Sequence, residues 1–247
     1  MPASPLPSPP PRFPLIDGLR GMAVCMMVAY HFLFDTTYFG LTHFRMLDEP
    51  GWIAWRSVIV SCFLLLTGVG LVLAQRHAAR SIVRRSAQIG ASAALVTVGS
   101  YLIFPASFIY FGVLHFNLLA SLLCLPLRKQ ATWTLPLGIL ALAAGLAYGN
   151  PVFDPKALNW IGFVAHKPIT EDYVPLFPWL GMVLIGMAIG QRWLRHGYAL
   201  PPSLATLSAH LPKWLSGLGR HSLLVYLIHQ PILFAGFEAA RWLRAIP

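Results

Sequence analysis

Apolar residues dominate seven long stretches of the chain, and short polar connections separate these stretches. A helix needs about 20 apolar residues to cross a bilayer, and about 17 at the short end. The pattern therefore predicts an all-α fold, a polytopic membrane helix bundle. We expect about seven transmembrane helices, at residues 19–40, 52–74, 86–104, 108–127, 133–149, 174–191 and 219–237.

The composition agrees with a protein that is embedded in a membrane. Hydrophobic residues make up 57% of the 247 residues and charged residues only 11%, and the mean hydropathy is +0.65. These values lie outside the range of an ordinary soluble domain. Residues 1–14 are rich in proline and predict a disordered cytoplasmic tail, residues 15–240 predict a single multi-span domain, and residues 241–247 predict a short tail.

The basic residues indicate the orientation of the chain. The formal net charge is +10, from 18 Lys and Arg against 8 Asp and Glu. Because the basic residues form short clusters between apolar stretches, they argue for topology signals and against nucleic acid as a partner. More basic and less basic connections alternate, so the positive-inside rule places the N-terminus in the cytoplasm.

Cysteine spacing and the motifs of soluble enzymes give no sign of metal or redox chemistry. Cys25, Cys62 and Cys124 all lie in apolar stretches, and no two have the spacing of a zinc or redox motif. The sequence has no Walker loop, GxSxG elbow or HExxH. We therefore expect no metal, and we look for the chemistry among polar groups inside the spans.

The first span, LIDGLRGMAVCMMVAYHFLFD, carries ionisable groups at two depths. Asp17 and Arg20 lie at its cytoplasmic end, where they either cap the helix and reach the headgroups or anchor an anionic ligand. His31 lies roughly 16 Å further along the helix, near the bilayer midplane. Asp35 follows at i+4 on the same face. The spacing predicts a His31–Asp35 hydrogen bond and proton chemistry at that depth.

Two further histidines occupy later spans. His115 lies in IYFGVLHFNLLAS, and His229 precedes Gln230 and Pro231 in SLLVYLIHQPILF. Pro231 removes a backbone donor and frees a carbonyl near His229. Each histidine alone is open to a second interpretation, as a hydrogen-bonded residue of the core. Three histidines on three spans favour a functional site.

The longest outer connection, residues 150–173, is open to two interpretations. It is either an interfacial loop with aromatic anchors or the mouth of a cavity that polar and aromatic side chains line. The basic segment RHAARSIVRR likewise serves either as a topology signal or as a set of guanidinium groups for a polyphosphate ligand.

Four motifs resemble one family when they are taken in chain order. They are RFPLIDGLRGMAVCMMVAYHFLFD, IYFGVLHFNLLASLL, DYVPLFPWLGMVLIGMAIG and LGRHSLLVYLIHQP. Together they resemble the short bacterial members of the heparan-α-glucosaminide N-acetyltransferase catalytic-domain family, within the wider transmembrane acyltransferase superfamily, over residues 12–234. The resemblance implies a multi-pass protein of the bacterial inner (cytoplasmic) membrane. It also implies transfer of an acetyl or acyl group from cytosolic acyl-CoA to a sugar or glycan on the extracytoplasmic side.

The resemblance further implies that a histidine acts as the catalytic base or acyl carrier. In long family members that histidine follows the first span, in a stretch resembling H-x-S-W-N-G. The corresponding stretch here is THFRMLDEPGWIAW, with His43 offset. His31 and His43 are therefore both candidates, and His31 is preferred for its depth and for its Asp35 partner. Asp35 and His115 complete the set of candidate catalytic residues.

The same resemblance implies where the substrates bind. Acetyl-CoA would be the acyl donor, and Asp17, Arg20, Arg84 and Arg85 would hold it at the cytoplasmic mouth. The extracytoplasmic acceptor would occupy a cavity within the bilayer. The candidate cavity residues are Asn117, Asp172, Tyr173, Trp179, His229 and Gln230. The identity of the acceptor and assembly as a homodimer are left open.

Two other functions use the same intramembrane groups. A proton-coupled small-molecule transporter would bind or relay protons through them, although the chain has no long-period repeat. A haem-binding membrane redox subunit would take two of His31, His115 and His229 as axial ligands. Loss of activity, with a binding or scaffold role, is a further alternative because the stretch around His43 departs from the family motif.

Overall fold

The computed structural model describes residues 13–76 and 79–243. Within these ranges the protein is helical throughout, with short 3-10 turns and no strand, which confirms the all-α fold class. The helices are α1 (Pro14–Tyr38), α2 (Pro50–Leu73), α3 (Ala79–Ile103), α4 (Val113–Leu123), α5 (Ala131–Ala147), α6 (Leu176–Arg195), α7 (Pro202–His210), α8 (Lys213–Arg220) and α9 (Ser222–Trp242). The predicted tail lies mostly outside the described residues, because the description begins at residue 13.

Among the described residues, four helices are long and apolar enough to cross a membrane, namely α1, α2, α3 and α9. Two shorter apolar helices, α4 and α5, coincide with the fourth and fifth predicted spans, and α6 coincides with the sixth. The protein is therefore an integral membrane protein. The count of seven spans and the cytoplasmic N-terminus stay predictions.

The fourth predicted span starts five residues before α4 does. The sequence predicts a span from residue 108, whereas α4 starts at Val113. The backbone carbonyls of Phe108 and Ile109 accept hydrogen bonds from the hydroxyls of Thr170 and Thr97, at 2.9 and 2.8 Å. These side-chain bonds hold the segment in a non-helical course against the outer loop and α3.

Two short helices between the sixth and seventh predicted spans were not predicted. Of these, α8 packs closely along the N-terminal half of α1. A Cβ atom at Gly21 would overlap the carbonyl of Leu215, and a Cβ at Gly219 would overlap the carbonyl of Asp17. Only glycine allows the two backbones to approach this closely. Leu215 is buried in the contact, and Trp214 on the opposite side is exposed.

The main core lies where α2, α4 and α6 meet. Leu64, Phe116, Val183 and Met187 are completely buried there. Small residues bring α2 and α6 together, because a Cβ at Gly68 would overlap the carbonyl of Val183. A second cluster joins the outer half of α1 to α2 and contains Met27, Tyr30, Met46 and Ile59.

The outer connection between α5 and α6 is ordered by buried hydrogen bonds. The Tyr173 hydroxyl donates to the carbonyl of Asn159 at 2.7 Å, and the Asn159 amide donates to the Tyr110 hydroxyl at 2.8 Å. Asn159 itself is only 1% exposed. The connection therefore folds over the bundle and carries Asp172 and Tyr173 to the start of α4.

Candidate active site

Two intramembrane histidines from the first and last helices meet inside the bundle. The rings of His31 on α1 and His229 on α9 lie edge to face, with centroids 4.9 Å apart and an interplanar angle of 76°. His229 is buried, with 8% exposure, and His31 is partly buried. Residues almost two hundred positions apart in sequence therefore form one imidazole pair.

Backbone carbonyls fix the tautomer of both rings. Nδ1 of His31 lies 2.9 Å from the carbonyl oxygen of Met27, and Nδ1 of His229 lies 2.8 Å from that of Tyr226. A carbonyl oxygen only accepts, so each Nδ1 must carry the hydrogen. Each neutral ring then presents the lone pair of Nε2, which is the arrangement that a general base requires.

His115 has the opposite tautomer and a different role. The Gly112 amide donates to Nδ1 at 3.3 Å, so the hydrogen lies on Nε2, which donates to the Thr97 hydroxyl at 3.1 Å. The Thr97 hydroxyl in turn donates to the carbonyl of Ile109. Both ring nitrogens of His115 are therefore hydrogen-bonded, and the bond to Thr97 connects the start of α4 to α3.

The expected hydrogen bond between His31 and Asp35 does not form. The Gln230 amide on α9 donates to Oδ1 of Asp35 at 2.7 Å, and His31 donates to the Met27 carbonyl instead. The carbonyl of Met27, four residues earlier on the same helix, accepts the Nδ1–H of His31, so this donor is not available to the carboxylate of Asp35. Asp35 and Gln230 therefore connect α1 to α9 at the level of the histidine pair.

A second polar group lies on the outer side of the pair, around Asp172. Its Oδ2 accepts a hydrogen bond from the backbone N–H of Val113 at 2.8 Å and one from the Tyr226 hydroxyl at 3.3 Å. Burial raises the pKa of the Asp172 carboxyl, while these hydrogen bonds and the positive charge of Arg56 oppose that rise. The ring of Tyr226 lies 5.8 Å from that of His229, so the two groups are continuous.

Tyr226 and Arg56 are the site residues that sequence reasoning missed. Tyr226 precedes His229 by three positions and lies on the same face of α9, which is the signal that would have found it. Arg56 is partly buried near the outer end of α2, close enough to Asp172 to act on its charge. The sequence offered no reason to treat Arg56 as more than an outer basic residue.

The other candidate cavity residues lie apart from the histidine pair. The Asn117 side chain accepts a hydrogen bond from the Thr67 hydroxyl at 3.0 Å and so joins α4 to α2. Tyr173 bonds to the outer loop, and Trp179 packs against the main core. His43 lies exposed in the connection between α1 and α2.

The candidates predicted for the donor site form a group of their own at the N-terminal end of α1. Nη1 of Arg20 lies 3.6 Å from Oδ1 of Asp17, so the two side chains form an ion pair across one turn of α1. Arg85 on α3 is near enough for its charge to act on Arg20. The structure thus brings together Asp17, Arg20 and Arg85, while Arg84 is exposed on α3 with no ion pair within the described part of the chain.

An apolar groove of about 610 Å³ runs along α1 and α9 beside the histidine pair. Val28 and Phe32 line it near His31, and Val225 and Leu233 line it one turn on either side of His229. Its walls are apolar apart from the thiol of Cys25. Across residues 13–76 and 79–243, no three His, Cys, Asp or Glu side chains come together as a metal site.

The fold and this site define a polytopic membrane protein in which apolar helices enclose interacting ionisable side chains. Residues 12–231 match the family model described as heparan-alpha-glucosaminide N-acetyltransferase, catalytic, and the chain belongs to that family. The resemblance drawn from the four motifs is thus confirmed, and it identifies a family of membrane acetyltransferases. Neither the curated proteins nor the solved structures include a significant match.

Proposed function

We propose that the protein transfers an acetyl or acyl group from cytosolic acyl-CoA to a hydroxyl or amine of a sugar or glycan on the extracytoplasmic side. The observation that carries this proposal is the pair of neutral imidazoles in contact inside the bundle, each with Nδ1–H anchored and Nε2 free. Membership of an acetyltransferase family supplies the reaction class.

His31 is the general base in this proposal because it is the more accessible member of the pair. Its Nε2 removes the proton as the acceptor oxygen or nitrogen attacks the thioester carbonyl. The tetrahedral intermediate then collapses, the carbon–sulfur bond breaks, and the imidazolium returns the proton to the CoA thiolate. His229, in ring contact, holds His31 in place and offers a second neutral nitrogen beside the imidazolium.

The donor site in this proposal is the group at the N-terminal end of α1, on the cytoplasmic side. Arg20 and Arg85 are two like charges drawn close together, with Asp17 paired to only one of them. A phosphate of acyl-CoA would bridge the two guanidinium groups. The eleven residues from Arg20 to His31 span roughly 16 Å of helix, which separates the phosphates from the reacting thioester.

The acceptor side is formed by the group around Asp172. Tyr226 links this group to His229, and Arg56 adds a partly buried positive charge near the outer end of α2. Hydroxyl and amine groups of a sugar would enter here and reach Nε2 of His31. We place Asp35 and His115 outside the chemical steps, because both are committed to other partners.

The experiment uses purified protein in proteoliposomes, radiolabelled acetyl-CoA and an envelope glycan extract as the acceptor. His31→Gln should lower labelled product by a factor of about 10² to 10⁴, the usual contribution of a general base. His210→Gln is the matched control, since Nδ1 of His210 makes the same i−4 bond, to Thr206 at 2.8 Å, but on exposed α7. If His43→Gln abolished transfer while His31→Gln retained it, the assignment would move to His43.

The haem alternative conflicts with the geometry of the three histidines. Axial ligands lie on opposite faces of a porphyrin, and rings in contact at 4.9 Å leave no space for one between them. Both nitrogens of His115 are already bonded. The transporter alternative predicts that acetyl-CoA leaves thermal stability unchanged, whereas an acyl-CoA site predicts stabilisation that grows with ligand concentration.

A further inference from the structure

Two buried oxygen atoms between α1 and α9 have no hydrogen-bond donor among the described residues. Asp35 has 0% exposure, and its Oδ1 accepts from the Gln230 amide at 2.7 Å. Its second oxygen, Oδ2, has no partner, and neither has the Gln230 carbonyl oxygen, Oε1. Unpaired acceptors are costly inside a protein and most costly at membrane depth, so a donor is needed here.

A single hydrogen on Asp35 would satisfy both atoms. A primary amide presents a donor and an acceptor side by side, and a protonated carboxyl group presents the complementary acceptor and donor. Two parallel hydrogen bonds then close a ring, Nε2–H to Oδ1 and Oδ2–H to Oε1. An ionised carboxylate accepts only and can make just the first of these bonds.

We propose that Asp35 is a neutral carboxylic acid that forms a two-bond acid–amide pair with Gln230 and thereby fixes α1 against α9. The pair sits one helical turn from His31 and next to His229, so it sets the approach of the two imidazoles. Asp35 is then a positioning residue. It does not supply negative charge to an imidazolium, as the i,i+4 spacing had suggested.

The charges around Asp35 support a neutral carboxyl group. On its own helix His31 is bonded to the Met27 carbonyl, and on α9 His229 is bonded to the Tyr226 carbonyl. Further along α9, Glu238 is exposed beside Arg241. Arg56 of α2 acts on Asp172, and no charged group in the described part of the chain acts on Asp35. An ionised Asp35 would thus be a buried charge with one neutral partner.

Asn is the substitution that tests the two-bond geometry, because its amide presents the same acceptor and donor as a protonated carboxyl group. In Asp35→Asn the new amide can make both ring bonds to Gln230, so the unfolding midpoint should stay within about 2 °C of wild type. Asp35→Ala leaves the Gln230 amide unpaired and should lower the midpoint by about 5 °C or more. If Asp35→Asn fell as far as Asp35→Ala, the two-bond pair with Gln230 would not exist and the proposal would be wrong.

Infrared spectroscopy tests the proton directly and requires no substrate. At neutral pH the wild-type protein should show the carbonyl band of a protonated carboxylic acid, and the band should weaken in Asp35→Asn. Asp48→Asn is the control, because that carboxylate is 66% exposed and paired with Arg45. An Asp35→Asn difference spectrum without such a band would overturn the proposal. Neither result bears on the acyltransferase proposal, which the proteoliposome assay tests separately.

Discussion

Replacing Asp172 by alanine should destabilise the protein strongly. The carboxyl accepts hydrogen bonds from the Val113 N–H and the Tyr226 hydroxyl, and alanine would leave both donors unpaired in a buried setting. An unpaired donor in such a setting costs about 1–3 kcal/mol, so the two donors together cost about 2–6 kcal/mol. For a chain of this size, that loss corresponds to a fall of about 4 °C or more in the unfolding midpoint.

Asp172→Asn is the matched variant, because the asparagine oxygen can still accept from the Val113 N–H. Thermal unfolding of the detergent-solubilised protein should place it near wild type and well above Asp172→Ala. Equal losses in the two variants would show that the charge of Asp172 matters more than its hydrogen bonds. The reasoning from unpaired donors would then fail.

The stability of wild type relative to Asp172→Asn should depend on pH in a defined direction. Burial raises the pKa of Asp172 above that of an ordinary aspartate, about 3.9. Asp172 therefore binds a proton more tightly in the folded state than in the unfolded state. The stability that this protonation contributes is lost as the pH rises through the folded-state pKa of Asp172. As the pH falls from 7 towards 4, wild type should gain stability relative to Asp172→Asn. A relative loss over that range would mean that the ionised carboxylate, held by Arg56, is the stabilising form.

Two further predictions concern packing and the donor site. Gly68→Ala would force a Cβ against the Val183 carbonyl and should cost about 1–3 kcal/mol in thermal unfolding, while Gly70→Ala, which meets nothing within 4 Å, should be neutral. Arg20→Gln should weaken the thermal stabilisation by acetyl-CoA, with about a tenfold loss of affinity, whereas the exposed Arg80→Gln should retain it. Equal behaviour within either pair would contradict the corresponding contact or binding proposal.

The sequence predicts the helices well because apolar length is a local property. All seven predicted spans overlap helices, although several boundaries differ by five to seven residues. The late start of α4 results from contacts of Thr97 and Thr170 that arise from tertiary structure. The helices α7 and α8 were missed because they are short, follow prolines, and have mixed composition. Their stability comes from packing against α1, which a single-chain pattern does not reveal.

The site is less predictable because its contacts join distant parts of the chain. Depth along the helix pointed to His31, but nothing local shows that His229 is its neighbour. Spacing predicted a hydrogen bond from His31 to Asp35. In the structure His31 donates to the Met27 carbonyl instead, and Asp35 accepts from the Gln230 amide. Charge counting treated Arg56 as an outer basic residue, and its proximity to Asp172 depends on how α2 packs.

The contact between His31 and His229 also has a consequence for biosynthesis. One histidine lies on α1 and the other on α9, so α9 emerges from the ribosome after α1 has been synthesised. Until α9 is inserted beside α1, the imidazole pair and the Asp35–Gln230 bond do not exist. A nascent chain that has not yet reached α9 therefore lacks the contact between the two imidazoles, and the candidate site is assembled only once α9 lies beside α1.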